Sequence, residues 1–132
     1  MGNTEEAFLF YKDVFGGKFQ ALQRFKDTPE AERVPANERE KIMHIALPIG
    51  NNLLMATDAL ESMGHKVTPG SNMSLSIDAE SEVEATRLFN ALATGGNVSV
   101  QLEKMFWGAY FGMLTDKFGI QWMVNFDERQ NK

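Results

Sequence analysis

Two imidazoles, His44 and His65, are the side chains in this sequence that titrate near neutral pH. His44 lies in an otherwise apolar run, Met43-His44-Ile45-Ala46-Leu47. Such a position suits a general base or a hydrogen-bond partner for a substrate, and equally a core or rim histidine with one satisfied hydrogen bond. His65 follows a glycine in a polar stretch and reads as solvated. A second concentration of chemistry lies in Met105 to Phe126, which holds both tryptophans, one of the two tyrosines and four of the ten phenylalanines. The N–H of Trp107 and O–H of Tyr110 need partners when buried, so both side chains suit either a pocket wall or a core. Gln121 and Asn125 share strand parity with Met123 and could orient a ligand or close a hydrogen-bonded rim. Trp122 has the parity of Val124, which points to packing. No Ser-His-Asp order, phosphate loop or paired catalytic carboxylates can be recognised. Asp58 and Asp116 read as turn caps. Glu5, Glu6, Glu82 and Glu84 fall in helix first turns, where the dipole favours them.

Positioning these groups requires regular elements, and the sequence supplies a repeating set. Asn3 followed by Glu6 resembles a capping box, and Ala7, Phe8, Tyr11, Val14 and Phe15 form one helical stripe, so a helix is predicted over 4–15. Gly16-Gly17 ends it. Lys18–Phe25 alternates as a strand. Residues 26–41 are polar, carry Pro29 and Pro35, and read as a loop with a short turn at 29–33. Ile42–Leu47 and Leu53–Thr57 form a hairpin, and 58–72 is a second loop. Met73–Asp78 is a short strand. Ser81 and Glu84 open a second helix over 81–93, with Ala85, Leu88, Phe89 and Leu92 as its stripe. Gly95-Gly96 ends that helix, and Asn97–Glu103 is a strand. Ala109–Thr115 and Ile120–Phe126 close the pattern as an antiparallel pair around Asp116–Gly119.

A capped helix, a Gly-Gly stop, a strand and a hairpin therefore occur twice. The class is α+β, with paired βαβββ modules in which the first strand of the first module is missing. Module one spans 1–58, a loop 59–72, module two 73–126 and a tail 127–132, all within one domain.

Composition narrows the function. A net charge of −5 gives no basic face for nucleic acid and disfavours anionic membranes. The absence of cysteine removes disulfides, thiolate metal sites and cysteine nucleophiles, and it suits a reducing cytoplasm. No apolar run approaches the ~20 residues that span a bilayer. Eight methionines supply adaptable apolar surface.

The segments GNTEEAFLFYKDVFGG at 2–17, KIMHIALPIGNNLLMATD at 41–58 and FWGAYFGMLTDKFGIQWMV at 106–124 resemble the vicinal-oxygen-chelate superfamily. This is the glyoxalase and bleomycin-resistance fold, and the closer likeness is to its PhnB-like branch, often labelled a 3-demethylubiquinone methyltransferase domain. Nothing in the sequence is similar to the Gly-rich strand-turn-helix nucleotide site of common methyltransferases. The resemblance implies a curved mixed sheet around a cavity and pairing of modules across a homodimer. It also places Phe106-Trp107-Gly108 near the cavity mouth.

Metal-dependent relatives carry His or Glu ligands on inner strands. Carried over, those positions fall on the missing strand, near Met55, at Asn72 or Met73, and at Met123. Thioethers are poor donors for hard cations, so no metal or other cofactor is expected. The expected ligand is instead a small organic molecule, lined by Met55, Phe106, Trp107, Tyr110, Gln121 and Met123, with His44 as the candidate catalytic or orienting group. The alternatives are a metal-dependent lyase, isomerase or dioxygenase of the superfamily, or a drug-sequestering protein of the resistance type.

Overall fold

The computed structural model describes residues 2–29 and 31–128, and the chain divides into two compact units, Met1–Thr68 and Pro69–Lys132. The end of the expected tail, 129–132, lies outside the described residues. In the first unit, helix α1 covers Thr4–Phe15 and buries Ala7, Phe8, Tyr11 and Val14 of the predicted stripe, while Phe15, at the helix end, is only half-buried. Its start corrects one expectation. Asn3 makes no side-chain cap, and the Thr4 N–H donates instead to Asp58 Oδ1 at 3.1 Å. Asp58 is buried, and its Oδ2 accepts from the Ile42 N–H at 2.8 Å. It is a long-range cap rather than a local turn residue. Beyond α1, Gly16 takes φ +79°, a conformation open to glycine, and its N–H bonds back to the Lys12 carbonyl.

Three antiparallel strands follow, β1 Ala21–Arg24, β2 Ile42–Ile49 and β3 Asn52–Ala56, in spatial order β1-β2-β3. β1 is shorter than the predicted 18–25. A bulge between Gln23 and Arg24 breaks its pairing, and Phe25 turns inward to open a single 3₁₀ turn. Further 3₁₀ turns at Ala31–Arg33 and Ala36–Glu38 punctuate the long loop, the first within the predicted 29–33 turn, of which residue 30 lies outside the described residues. Phe25, Val34 and Leu60 cluster beneath that loop with Met43 against them. The hairpin strands reach closer to the turn than predicted, leaving Gly50-Asn51 as the turn with Gly50 at φ +59°, while β3 stops at Ala56, one residue short of the predicted end. Pro48 is thus inside β2. It is tolerated because pairing with β1 stops at Ala46, so Pro48 lies beyond the doubly paired part of the strand.

The second unit repeats the plan with one strand more. β4 Leu75–Asp78 leads into helix α2 Glu82–Ala93, followed by β5 Asn97–Lys104, β6 Tyr110–Thr115 and β7 Gln121–Phe126. The sheet order is β4-β7-β6-β5, with β4 parallel to β7 and the remaining pairs antiparallel. In the first unit no strand occupies the corresponding edge of β3 among the described residues. The cap of α2 forms as expected on one side: Ser81 Oγ accepts from the Glu84 N–H at 3.0 Å. The Glu84 carboxylate turns away to Arg87 instead of closing the box. Ala85, Leu88, Phe89 and Leu92 are buried.

Gly112 explains how close α2 sits to its sheet. A Cβ there would lie 2.7 Å from Phe89 Cε2 and 2.8 Å from Leu102 Cα, so only glycine admits the ring. The contact also identifies the helix side of the sheet. By register, Gly112 shares that side with Leu114, Trp122 and Val124, all buried.

Candidate functional site

The other side of the second sheet, turned away from α2, carries most of the groups suited to ligand binding. The register aligns Ser76, Met123, Met113 and Val100 in one row across four strands. The next row is Asp78, Asn125, Phe111 and Glu103. Paired residues project to the same side, so the two rows form a patch of thioethers, one ring, an amide and two carboxylates. The β5–β6 connection adds two more rings. Trp107 packs edge-on to Phe111 with centroids 5.9 Å apart, and Phe106 meets Trp107 edge-on at 5.0 Å. Phe106 is 98% exposed and Trp107 44% exposed, so these rings extend the patch into solvent. The connection is a tight turn: the Met105 N–H donates to Ala109 O, and the Gly108 N–H, at φ +99°, to Met105 O. The turn holds the two rings over the end of β6.

The other expected lining residues divide. Met123 lies in the centre of this face, opposite Met113. Gln121 shares the face, but its Nε2–H donates to the Met73 carbonyl at 2.7 Å, the rim bond that was one of its two readings. Asn125 similarly donates to Asp78 Oδ1 at 3.2 Å. Tyr110 does not join them. It shares the helix side with Gly112, and its hydroxyl lies 3.5 Å from Thr86 Oγ1 on α2. Trp122 is core, with its Nε1–H donating to Asp116 Oδ2 at 2.8 Å. Phe111 and Met113 were missed as site residues. Their common parity was visible, but only the register of β6 on β7 places them with Met123.

His44 and Met55 belong to the first unit. His44 is half-buried on β2 opposite Gln23. Met55 is opposite Ala46 and 57% exposed, so it shares a sheet face with His44, one row away. His65 is exposed, as read, and its Nδ1 also accepts from the Leu60 N–H at 3.3 Å. Two ion pairs tie the helices' acidic residues to arginines. Both terminal Arg24 guanidinium nitrogens donate to the Glu5 carboxylate, at 2.6 and 3.0 Å, and keep that carboxyl below its usual range. Arg87 does the same for Glu84 on α2.

The positions that would ligate a metal in the fold's metal-dependent members do not fit one. Met55 and Met123 offer thioethers and Asn72 or Met73 an amide or another thioether, a soft and sparse set for a hard divalent ion. Among the described residues no three His, Cys, Asp or Glu side chains converge as a metal-holding group. A nucleotide-type cofactor finds no better support. β4 enters α2 through Ala79-Glu80-Ser81, without glycine and with acidic residues around the helix start.

Two modules of this topology, one helix backed by three or four strands, define a glyoxalase-like protein. The chain belongs to the family described as 3-demethylubiquinone-9 3-methyltransferase, which it matches over residues 1–125. Protein YjdN of Escherichia coli is 28% identical over 137 residues, 98% of this chain and 91% of that protein. The crystal structure of protein PA1353 from Pseudomonas aeruginosa is 43% identical with a TM-score of 0.83, over 96% of this chain and 90% of that one. The PhnB protein of Bacillus cereus is 26% identical with a TM-score of 0.74, over 95% and 92%. A glyoxalase/bleomycin resistance/dioxygenase family enzyme from Burkholderia phytofirmans shares the fold at a TM-score of 0.58 and 20% identity, over 91% and 87%. No helix among the described residues is long and apolar enough to cross a membrane.

Proposed function

We propose that this protein binds a small organic molecule on the aromatic and thioether face of its second sheet, without a glyoxalase-type metal ion. The observation that carries the reading is the joining of Phe106, Trp107 and Phe111 edge to edge beside paired Met113 and Met123. Exposed rings on a tight turn lose solvent contact when a flat or apolar ligand covers them, and thioethers adapt to its outline. Polar orientation comes from Asn125 at the centre of the face, in the manner of sites that mix apolar walls with few polar groups. The family's methyltransferase name finds no support in this site, because no residue set here suits a nucleotide-type methyl donor.

The test is a titration with the neutral probe N-phenyl-1-naphthylamine, followed by its emission. Saturable binding that weakens at least about fivefold in Trp107→Leu, with an unchanged urea midpoint, supports the reading. Binding that is absent, or indifferent to Trp107→Leu, removes it.

A further inference from the structure

We infer that the ligand of this face is an organic cation, an aromatic or alkyl-substituted ammonium. The inference rests on the binding reading above and adds the sign of the ligand's charge. The row Asp78–Asn125–Phe111–Glu103 sets a carboxylate at each end of a line that has the Phe111 ring within it. Strands are spaced about 4.8 Å apart, so Glu103 is one step from Phe111, and Asp78 is two steps, about 10 Å, on the other side. Both distances are within about one Debye length at ordinary ionic strength.

The same register puts no Lys or Arg on this side of the sheet among the described residues. Lys104 pairs with Tyr110 and falls on the helix side. Arg87, on α2, is engaged with Glu84. A face with two carboxylates, rings and no cation repels anions and complements a positive charge. The rings act in the same direction. The negative faces of Trp107 and Phe111 attract an ammonium group, most strongly at Trp, and this attraction adds to the apolar contact instead of competing with it. Asn125 donates to Asp78 Oδ1, which holds that carboxylate on the row. A neutral ligand would use the rings and thioethers but draw nothing from the carboxylates. An anion would lose against both.

Three probes of nearly equal shape test this: benzyltrimethylammonium, its neutral carbon isostere neopentylbenzene, and benzylsulfonate. Binding is followed by the indole N–H resonance of Trp107 in ¹⁵N spectra, with the resonance of Trp122, hydrogen-bonded to Asp116, as the internal reference. The cation should bind about three to thirty times more tightly than the isostere, and the anion least. In the double variant Asp78→Asn with Glu103→Gln the preference for the cation should fall by about twofold or more, the share supplied by the rings remaining, with binding of neopentylbenzene retained. Both side chains are exposed, so the variant should keep the wild-type urea midpoint. Raising salt should weaken the cation and not the isostere, which tests the same point without mutation. Equal affinity for cation and isostere, or tightest binding of benzylsulfonate, overturns the inference and leaves the apolar site standing. If none of the three moves the Trp107 resonance, both readings fall.

Discussion

Trp122 and Asp116 are bonded to each other in the core of the second unit, indole Nε1 to carboxylate Oδ2 at 2.8 Å, with 2% and 3% of their surfaces exposed. The other carboxylate oxygen accepts from the backbone N–H groups of Phe118 and Ile120, at 2.8 and 3.1 Å. One side chain therefore organises the β6–β7 turn and anchors the large ring beside it. Asp116→Ala should cost about 3 kcal/mol, because it strands an indole N–H and two backbone donors that charge-assisted bonds now satisfy. Urea unfolding measures this, and a loss below about 1 kcal/mol would show that water replaces the carboxylate at little cost.

Gly112 should tolerate no side chain. In Gly112→Ala the new methyl group meets Phe89 Cε2 and the backbone of Leu102 inside 3 Å, and the backbone cannot step aside as a ring can. A destabilisation of about 1–3 kcal/mol is expected. The double variant Gly112→Ala with Phe89→Leu should do no better, since the Leu102 contact remains. Recovery in that double variant would place the whole clash at the ring.

Glu5 gives the first unit a pH dependence. Arg24, bonded to it through two nitrogens, holds its carboxyl below the usual glutamate range. The folded-state value is depressed, so the contribution is fully present above the unfolded value and is lost as pH falls through the folded one. Nearly half of the Glu5 side chain is open to solvent, and screening limits the effect to no more than about 1 kcal/mol. Urea midpoints of Glu5→Gln and the parent should differ at neutral pH and converge in acid as the Glu5 carboxylate takes up its proton. A gap that persists unchanged in acid counts against the ion pair as its origin.

Protein purified without chelator should carry Zn, Mn, Fe and Ni each well below about 0.1 per chain, given thioethers where harder donors would be needed. Elemental analysis decides. Stoichiometric metal that disappears in His44→Ala revives the metalloenzyme alternative.

A homodimer is the expected assembly. Among the described residues β3 is an edge strand, with Leu53 and Met55 exposed, a surface prone to pairing or burial. Light scattering at micromolar concentration should return twice the 14.8 kDa of one chain. The single-chain mass would contradict it.

Much of the fold was legible because helices declare themselves by period. Apart from Phe15, which is only half-buried, the predicted stripes are the buried faces observed, Ala7-Phe8-Tyr11-Val14 and Ala85-Leu88-Phe89-Leu92, and the helices end within a residue of the predicted bounds. The repeat was legible for the same reason. What depended on long-range partners was not. Asn3 is a good capping residue by type, yet Asp58 takes the role from 54 positions away. Lys18–Phe25 alternates throughout, but a bulge ends the strand at Arg24. At the candidate site, Tyr110 and Met123 each looked suited to line a pocket. Their opposite sides followed only from the pairing of Tyr110 with Phe126 and of Met113 with Met123.

The Asp58 cap has a consequence for how the protein is made. A twelve-residue helix is marginal alone in water, and α1 lacks a side-chain cap of its own. Its first N–H acquires an acceptor only after another 54 residues have been added, an interval of roughly 3–11 s at ordinary elongation rates. Helix α1 is thus completed by the residue that follows the hairpin of its own unit, so helix and hairpin are expected to close together. The Thr4 and Ile42 amides, which share that carboxylate, should exchange with solvent at matched rates and lose protection together in Asp58→Ala. Separate rates would mean that helix and hairpin open independently.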